Sequence, residues 1–240
     1  MKSFIAPLAV MMLAGIAPLA QASIQIHYYI DGDLIGVICN LPGPNSVACT
    51  DVTTGNVQIS GLSAHANLAG TPSLALASSS DAIIYNADSI AHTIHIDVMA
   101  QGFAKPTTPP NLNFDSSISG TNPVASPGST MSFKSCVDTT DSASGCAIVG
   151  GAPYLSATLT PSITGKGFYG ADAPTLTISS LAASFAMDEH LDLTIGAGGQ
   201  INFSGSTTLT PVPEPMSIAL LGGVVLLTSR LIRRKQNQAS

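Results

Sequence analysis

The chain of 240 residues has a formal net charge of −6, only 9% charged residues and no tryptophan. Five of its eight basic residues (Lys2, Arg230, Arg233, Arg234, Lys235) sit at the two ends, which leaves Lys105, Lys134 and Lys166 against thirteen acids between them, a net charge of −10. Such a surface repels phosphate backbones and excludes nucleic acid as a partner, while the Leu and β-branched content supplies enough apolar surface to argue against disorder.

Residues 1–22 read as a secretory signal peptide. Lys2 gives a short positive region, Phe4 to Leu19 an apolar one, and Ala20-Gln21-Ala22 a small-x-small cleavage site. Cleavage after Ala22 leaves Ser23 as the mature N-terminus, which makes the general secretion machinery and signal peptidase the first partners.

From there the pattern is all-β. Ile24 to Ile30 alternates, and Asp31-Gly32 offers a type I′ turn into Leu34–Ile38. Asn56–Leu62, Ser73–Ala77 and Ile83–Tyr85 are further short strand candidates. Thr93–Met99 is the clearest: Ile94, Ile96 and Val98 point one way, Thr93, His95, Asp97 and Met99 the other. A proline-rich stretch near 104–111 reads as a loop or linker. Leu112–Ile118, Thr130–Cys136, Tyr154–Ile163, Thr175–Leu181, Leu191–Ile195 and Ile201–Leu209 continue the series, with one helical turn expected at Leu181–Met187. Short strands at turn-limited spacing predict an antiparallel β-sandwich-like domain over 23–208.

The four cysteines form two pairs of equal spacing, Cys39 with Cys49 and Cys136 with Cys146, each separated by nine residues. In an oxidising compartment disulfides are the default. Of the three possible connectivities the two local bridges are expected, each contributing about 2–3 kcal/mol by loop closure. The spacing is too wide for a four-cysteine zinc site.

Several catalytic signatures are missing: there is no G-x-S-x-G, no phosphate-binding loop and no H-E-x-x-H. His95 and Asp97 share a strand face, as in a metal site or a proton relay, but an exposed polar face explains them as well. Asp31 with Asp33, and Asp188, Glu189 and Asp192, are acidic enough for a calcium reading, although neither group matches a calcium loop. The five tyrosines do not make an evident sugar platform, since the adjacent Tyr28 and Tyr29 face opposite ways. The expectation is therefore a protein that is not an enzyme, with no catalytic residue, no metal site and no cofactor. A hydrolase reading would have to draw an acid/base pair from His95, Asp97, Asp188 and Glu189.

Residues 209–240 carry a second address. Leu209-Thr210-Pro211-Val212 reads as an extended tether. Pro213-Glu214-Pro215 follows, then an expected short transmembrane helix over 216–232 and a basic end at 230–235 (Arg230, Arg233, Arg234, Lys235). The twelve uncharged residues Ser217–Thr228 reach about 18 Å as a helix, against a hydrocarbon core of about 30 Å. That suits a transient stop better than a permanent anchor. The basic end stays on the cytoplasmic side, so everything before it lies outside. Triplet, apolar helix and basic end together resemble the PEP-CTERM sorting signal of Gram-negative bacteria. The resemblance covers about the last 25 residues. It implies handling by an exosortase, a membrane cysteine transpeptidase that removes the tail, after a transient stay in the inner membrane. It also implies delivery to the cell surface or extracellular matrix, with exopolysaccharide as a partner. The function expected is structural or adhesive, in an exopolysaccharide or biofilm matrix. The alternative is a secreted carbohydrate-binding or calcium-dependent adhesion module, with a secreted hydrolase behind it.

Overall fold

The computed structural model describes residues 23–35, 39–42, 46–67, 75–104, 111–139, 141, 154–179, 181 and 184–212. The signal peptide with Ala20 and Ala22, the 213–215 motif and the basic end lie outside these residues. Among the described residues every regular element is a strand, and no helix is long and apolar enough to cross a membrane.

The strands are β1 (Ser23–Ile30), β2 (Asp33–Leu34), β3 (Cys39–Pro42), β4 (Ser46–Ala48), β5 (Val52–Thr54), β6 (Val57–Ser60), β7 (Ser63–Ala66) and β8 (Ala75–Asn86). They continue with β9 (His92–Ala104), β10 (Leu112–Val124), β11 (Thr130–Asp138), β12 (Tyr154–Leu155), β13 (Gly167–Asp172), β14 (Leu176–Ile178), β15 (Ser184–Ile195) and β16 (Gln200–Pro211). They form two antiparallel sheets. The first runs β12-β11-β15-β9-β1-β2, with β3 also on β1; the second runs β13-β10-β16-β8-β6-β5, with β14 on β10 and with β7, itself paired to β4, on β8.

Alternation builds the core. Ile24, Ile26, Tyr28 and Ile30 of β1, Ile94, Ile96 and Val98 of β9, and Leu191, Leu193 and Ile195 of β15 share one buried cluster with Phe114, Ile201, Phe203 and Leu209 of the second sheet. Two apolar inner faces thus meet, as in a sandwich. A polar contact also crosses between them: Thr207 Oγ1 of β16 donates to Glu189 Oε1 of β15 at 2.8 Å, and both side chains are buried. A carboxylate so deep is tolerated only when hydrogen-bonded.

The turn at Asp31-Gly32 is as expected, with φ of 53° and 88°. Both values are positive, which is the type I′ requirement that glycine meets without strain.

A polar knot closes one end of the sandwich. The buried Asn86, at the end of β8, donates through Nδ2 to the carbonyls of Ile90 (2.7 Å), Ile195 (3.2 Å) and Gly196 (3.1 Å). It thereby ties β8 of the second sheet to the end of β15 in the first and to the turn that follows it. Ser129 Oγ takes the Gly196 N–H at 2.9 Å and donates to Ser126 Oγ at 2.7 Å. Gly196 has to be glycine here: a Cβ would stand 2.5 Å from the Pro127 carbonyl oxygen.

Four expectations change. The helical turn at Leu181–Met187 gives way to strand from Ser184 onward, because β15 is buried on both faces between Phe185 and Leu191. Its first buried residues, Phe185–Met187, make a short apolar run, which periodicity cannot tell from a helix. Of the two expected strands Ser73–Ala77 and Ile83–Tyr85, the described residues Ala75–Ala77 and Ile83–Tyr85 belong to one strand, β8, which pairs with β16 from Ala75 to Tyr85 across one register shift. Tyr154–Ile163 is mostly irregular: after β12 only Leu159 bridges, to Phe133. Finally, Leu209–Val212 is not a tether. Leu209 is fully buried in β16, Pro211 sits opposite Leu112, and the Val212 N–H donates to the Asn111 carbonyl at 2.9 Å.

Neither Cys49 nor Cys136 is a free thiol. The side chain of Cys39 and all of Cys146 lie outside the described residues, and so do the local pairings expected for them. Most of the expected linker near 104–111 does as well.

Candidate functional site

The outer face of the first sheet carries the most chemistry. Antiparallel register aligns His27, Asp97, His190 and Lys134 in one cross-strand row over β1, β9, β15 and β11. The next row is Tyr29, His95, Asp192 and Ser132. Since side chains alternate, both rows point to the same face, away from Ile94, Ile96 and Leu191.

Within these rows two imidazoles and two carboxylates form a chain. His190 Nδ1 bonds Asp97 Oδ1, and its Nε2 lies 3.0 Å from Asp192 Oδ1. The same Asp192 oxygen bonds His95 Nδ1. The order is Asp97, His190, Asp192, His95, with the two rings loosely stacked at a centroid distance of 6.2 Å. Burial falls along it: the side chains of Asp97 and His190 are 7% and 8% exposed, those of Asp192 and His95 38% and 35%. Burial pulls the His190 pKa down, but the hydrogen bond to Asp97 and the charges of Asp97 and Asp192 outweigh it, and the net shift is upward despite Lys134.

A cleft of about 310 Å³ opens over the chain, lined by Tyr29, Gly32, His95, Asp97 and His190. A second, of about 420 Å³, lies on the other side of Asp192 and includes Thr93, Ser132, Thr160, Ser162 and Thr194.

Sequence periodicity puts His95 and Asp97 on one face, and there they lie. It does not reveal that His190 and Asp192 sit beside them, because strand order is not written in the alternation of either strand. The acidic group Asp188, Glu189 and Asp192 does not converge on one ion. Glu189 turns into the core toward Thr207, while Asp192 faces outward with His95. These are strand residues rather than loop residues, so neighbours in sequence face opposite ways. The same alternation separates Glu189 from His95 and Asp97 as an acid/base pair. Ser23, expected to follow the cleavage site, begins β1 and accepts a hydrogen bond from Gln101 Nε2 at 2.9 Å.

A separate group lies at the start of β9. His92 Nδ1 is 2.6 Å from Asp31 Oδ2, and its Nε2 is 3.3 Å from Asp88 Oδ2. The hydrogen bond to Asp31 leads in raising the His92 pKa above its ordinary 6.5. Asp31 and Asp88 are held below 3.8, chiefly by the backbone N–H groups of Thr93 and Ser89 respectively. The His92 contribution to stability is therefore full below the unfolded imidazole value and is lost as pH rises through the higher folded one. The carboxylate contributions are full above the unfolded value and are lost as pH falls through the lower folded ones. The group stabilises most between about pH 4 and 6.5. The variant H92Q should make the decline of Tm above about pH 6.5 shallower, while leaving most of the acid limb in place. An unchanged alkaline limb would show that His92 holds no such proton.

The fold and the face together define an antiparallel two-sheet protein with a histidine–aspartate chain on one outer surface. No protein-family model matches the chain, and no curated protein matches it either.

Proposed function

We propose that the chain is an exported cell-surface protein of a Gram-negative bacterium, sorted by a PEP-CTERM signal, with a non-enzymatic structural or adhesive role in an exopolysaccharide or biofilm matrix. The observation that carries this reading is the order at the carboxyl end. The interior strand β16 runs to Pro211, and Pro213-Glu214-Pro215, the apolar run and the basic end follow it in sequence. The Pro213-Glu214-Pro215 motif thus follows the last described strand, so removal of the chain from there on would cost the sandwich no described strand. Local bridges Cys39–Cys49 and Cys136–Cys146, formed after export, belong to the same reading.

A carbohydrate-binding role is the second reading, and the second sheet supports it. Its outer face presents Ser117, Ser119, Thr121, Asn202, Ser204 and Ser206, hydroxyl and amide groups suited to sugar hydroxyls. Phe168, on the edge strand β13 opposite Thr121, is 93% exposed. A bare aromatic ring beside a hydroxyl-rich floor is a stacking surface for a sugar.

The test is protease shaving of intact native cells, followed by co-sedimentation of the released domain with the host's exopolysaccharide. Shaving should release the domain, and the F168A variant should sediment less if sugar contact is direct. A protein protected in intact cells and released only by lysis would overturn the reading.

A further inference from the structure

We propose that His95, His190 and Asp192 form a site for one divalent transition-metal ion of the zinc type on the outer face of the first sheet. The inference does not depend on the export reading. Among the described residues, this is the group of His, Cys, Asp and Glu side chains whose ligand atoms come within 4.8 Å of one another.

The donor set selects the ion. Two imidazole nitrogens and one carboxylate oxygen suit zinc and its neighbours, whereas calcium and magnesium take oxygen. Zinc bonds nitrogen and oxygen at about 2.0–2.2 Å, so tetrahedral ligand atoms lie about 3.4 Å apart. His190 Nε2 and Asp192 Oδ1, at 3.0 Å, are already close to that spacing. His95 and Asp192 are half-exposed and have room to open around an ion.

The buried partner supplies an independent argument. Asp97 Oδ1 is bonded to His190 Nδ1, and both side chains are enclosed. A carboxylate on the far nitrogen is the arrangement that orients a metal-binding histidine, fixes its tautomer and strengthens it as a donor. It leaves Nε2, the nitrogen on the Asp192 side, for the metal. Asp97 and Asp192 together also balance the charge of a divalent ion, against Lys134 in the same row as His190.

Three protein ligands leave at least one position open. The cleft over His95 and His190, with Tyr29 and Gly32 on its wall, gives that position to solvent or to a small oxygen or nitrogen donor. The site is therefore built to take a further ligand rather than to be closed like a structural zinc centre.

The experiment is titration of the full-length chain, in detergent and stripped with a chelator, with Zn²⁺ by calorimetry and with Co²⁺ by visible absorption. The wild type should bind one equivalent, and Co²⁺ should give the strong visible bands of a low-coordinate site. D97N should weaken Zn²⁺ binding by about 10–100-fold. H190Q and H95Q should each weaken it by about tenfold or more. Because His190 is buried, H95Q at the half-exposed ligand, checked by an unchanged circular dichroism spectrum, is the deciding variant. H92Q should bind as the wild type does. Absence of saturable binding by the wild type would overturn the proposal. So would equal binding by wild type and folded H95Q, or a loss caused by H92Q alone.

Discussion

Replacing Asn86 with alanine should lower stability by about 2–4 kcal/mol. The side chain is wholly enclosed and donates to the carbonyls of Ile195, at the end of β15 in the opposite sheet, and of Gly196, in the turn that follows. Alanine supplies no donor, so the Ile90 and Ile195 carbonyls lose this one, while the Gly196 carbonyl keeps the Gly199 N–H at 3.1 Å. A buried polar group left unsatisfied costs about 1–3 kcal/mol, more than the net gain of a typical hydrogen bond. Asn86 also accepts the Asp88 N–H at 2.8 Å, so the turn that carries Asp88 toward His92 loosens as well. For a domain of this size the loss corresponds to a fall in Tm of roughly 4–16 °C. Thermal denaturation of wild type and variant side by side measures it. A change below about 1 kcal/mol would mean that water satisfies these carbonyls and that the knot does not hold the sheets together.

The second large effect concerns delivery. Changing Pro213, Glu214 and Pro215 together to alanine should leave the sandwich folded and its export begun, yet abolish its arrival at the surface. No described strand includes these positions, so stability should not move. The apolar run and Arg230, Arg233, Arg234 and Lys235 remain, and the chain should accumulate at the inner membrane with its tail attached. Fractionation and immunoblotting read the outcome. Undiminished surface protein in the variant would remove the triplet from the sorting reaction.

The two faces of each strand were legible in the sequence where one face meets water. Thr93–Met99 alternates clearly and Ile24–Ile30 loosely, and the Asp31-Gly32 turn has a chemistry suited to two positive φ angles. Legibility failed where both faces are covered by apolar residues, as at Phe185–Met187 near the start of β15, since such a run has no period. It failed again at β8, where Ser78 to Asp81 looks like a break although the strand pairs with β16 on both sides of a register shift at that point. The histidine–aspartate chain was half visible. Periodicity put His95 and Asp97 on a shared face, but their partners come from a strand more than 90 residues away in the chain. Only the sheet order, β15 beside β9, joins the two halves. Local pattern does not encode that order, because it is set by how the whole set of apolar faces closes. The same holds at the end of β16: Leu209 to Val212 reads as a spacer in sequence, yet Leu209 to Pro211 pair with Phe114 to Leu112 of β10.

Intact-mass spectrometry of the protein isolated from its native host tests the central claim most directly. Export with sorting predicts a chain that lacks Met1 to Ala22 and the apolar, basic tail, with all four cysteines paired and four hydrogens missing accordingly. A cytosolic species of all 240 residues, with its thiols free, would contradict it.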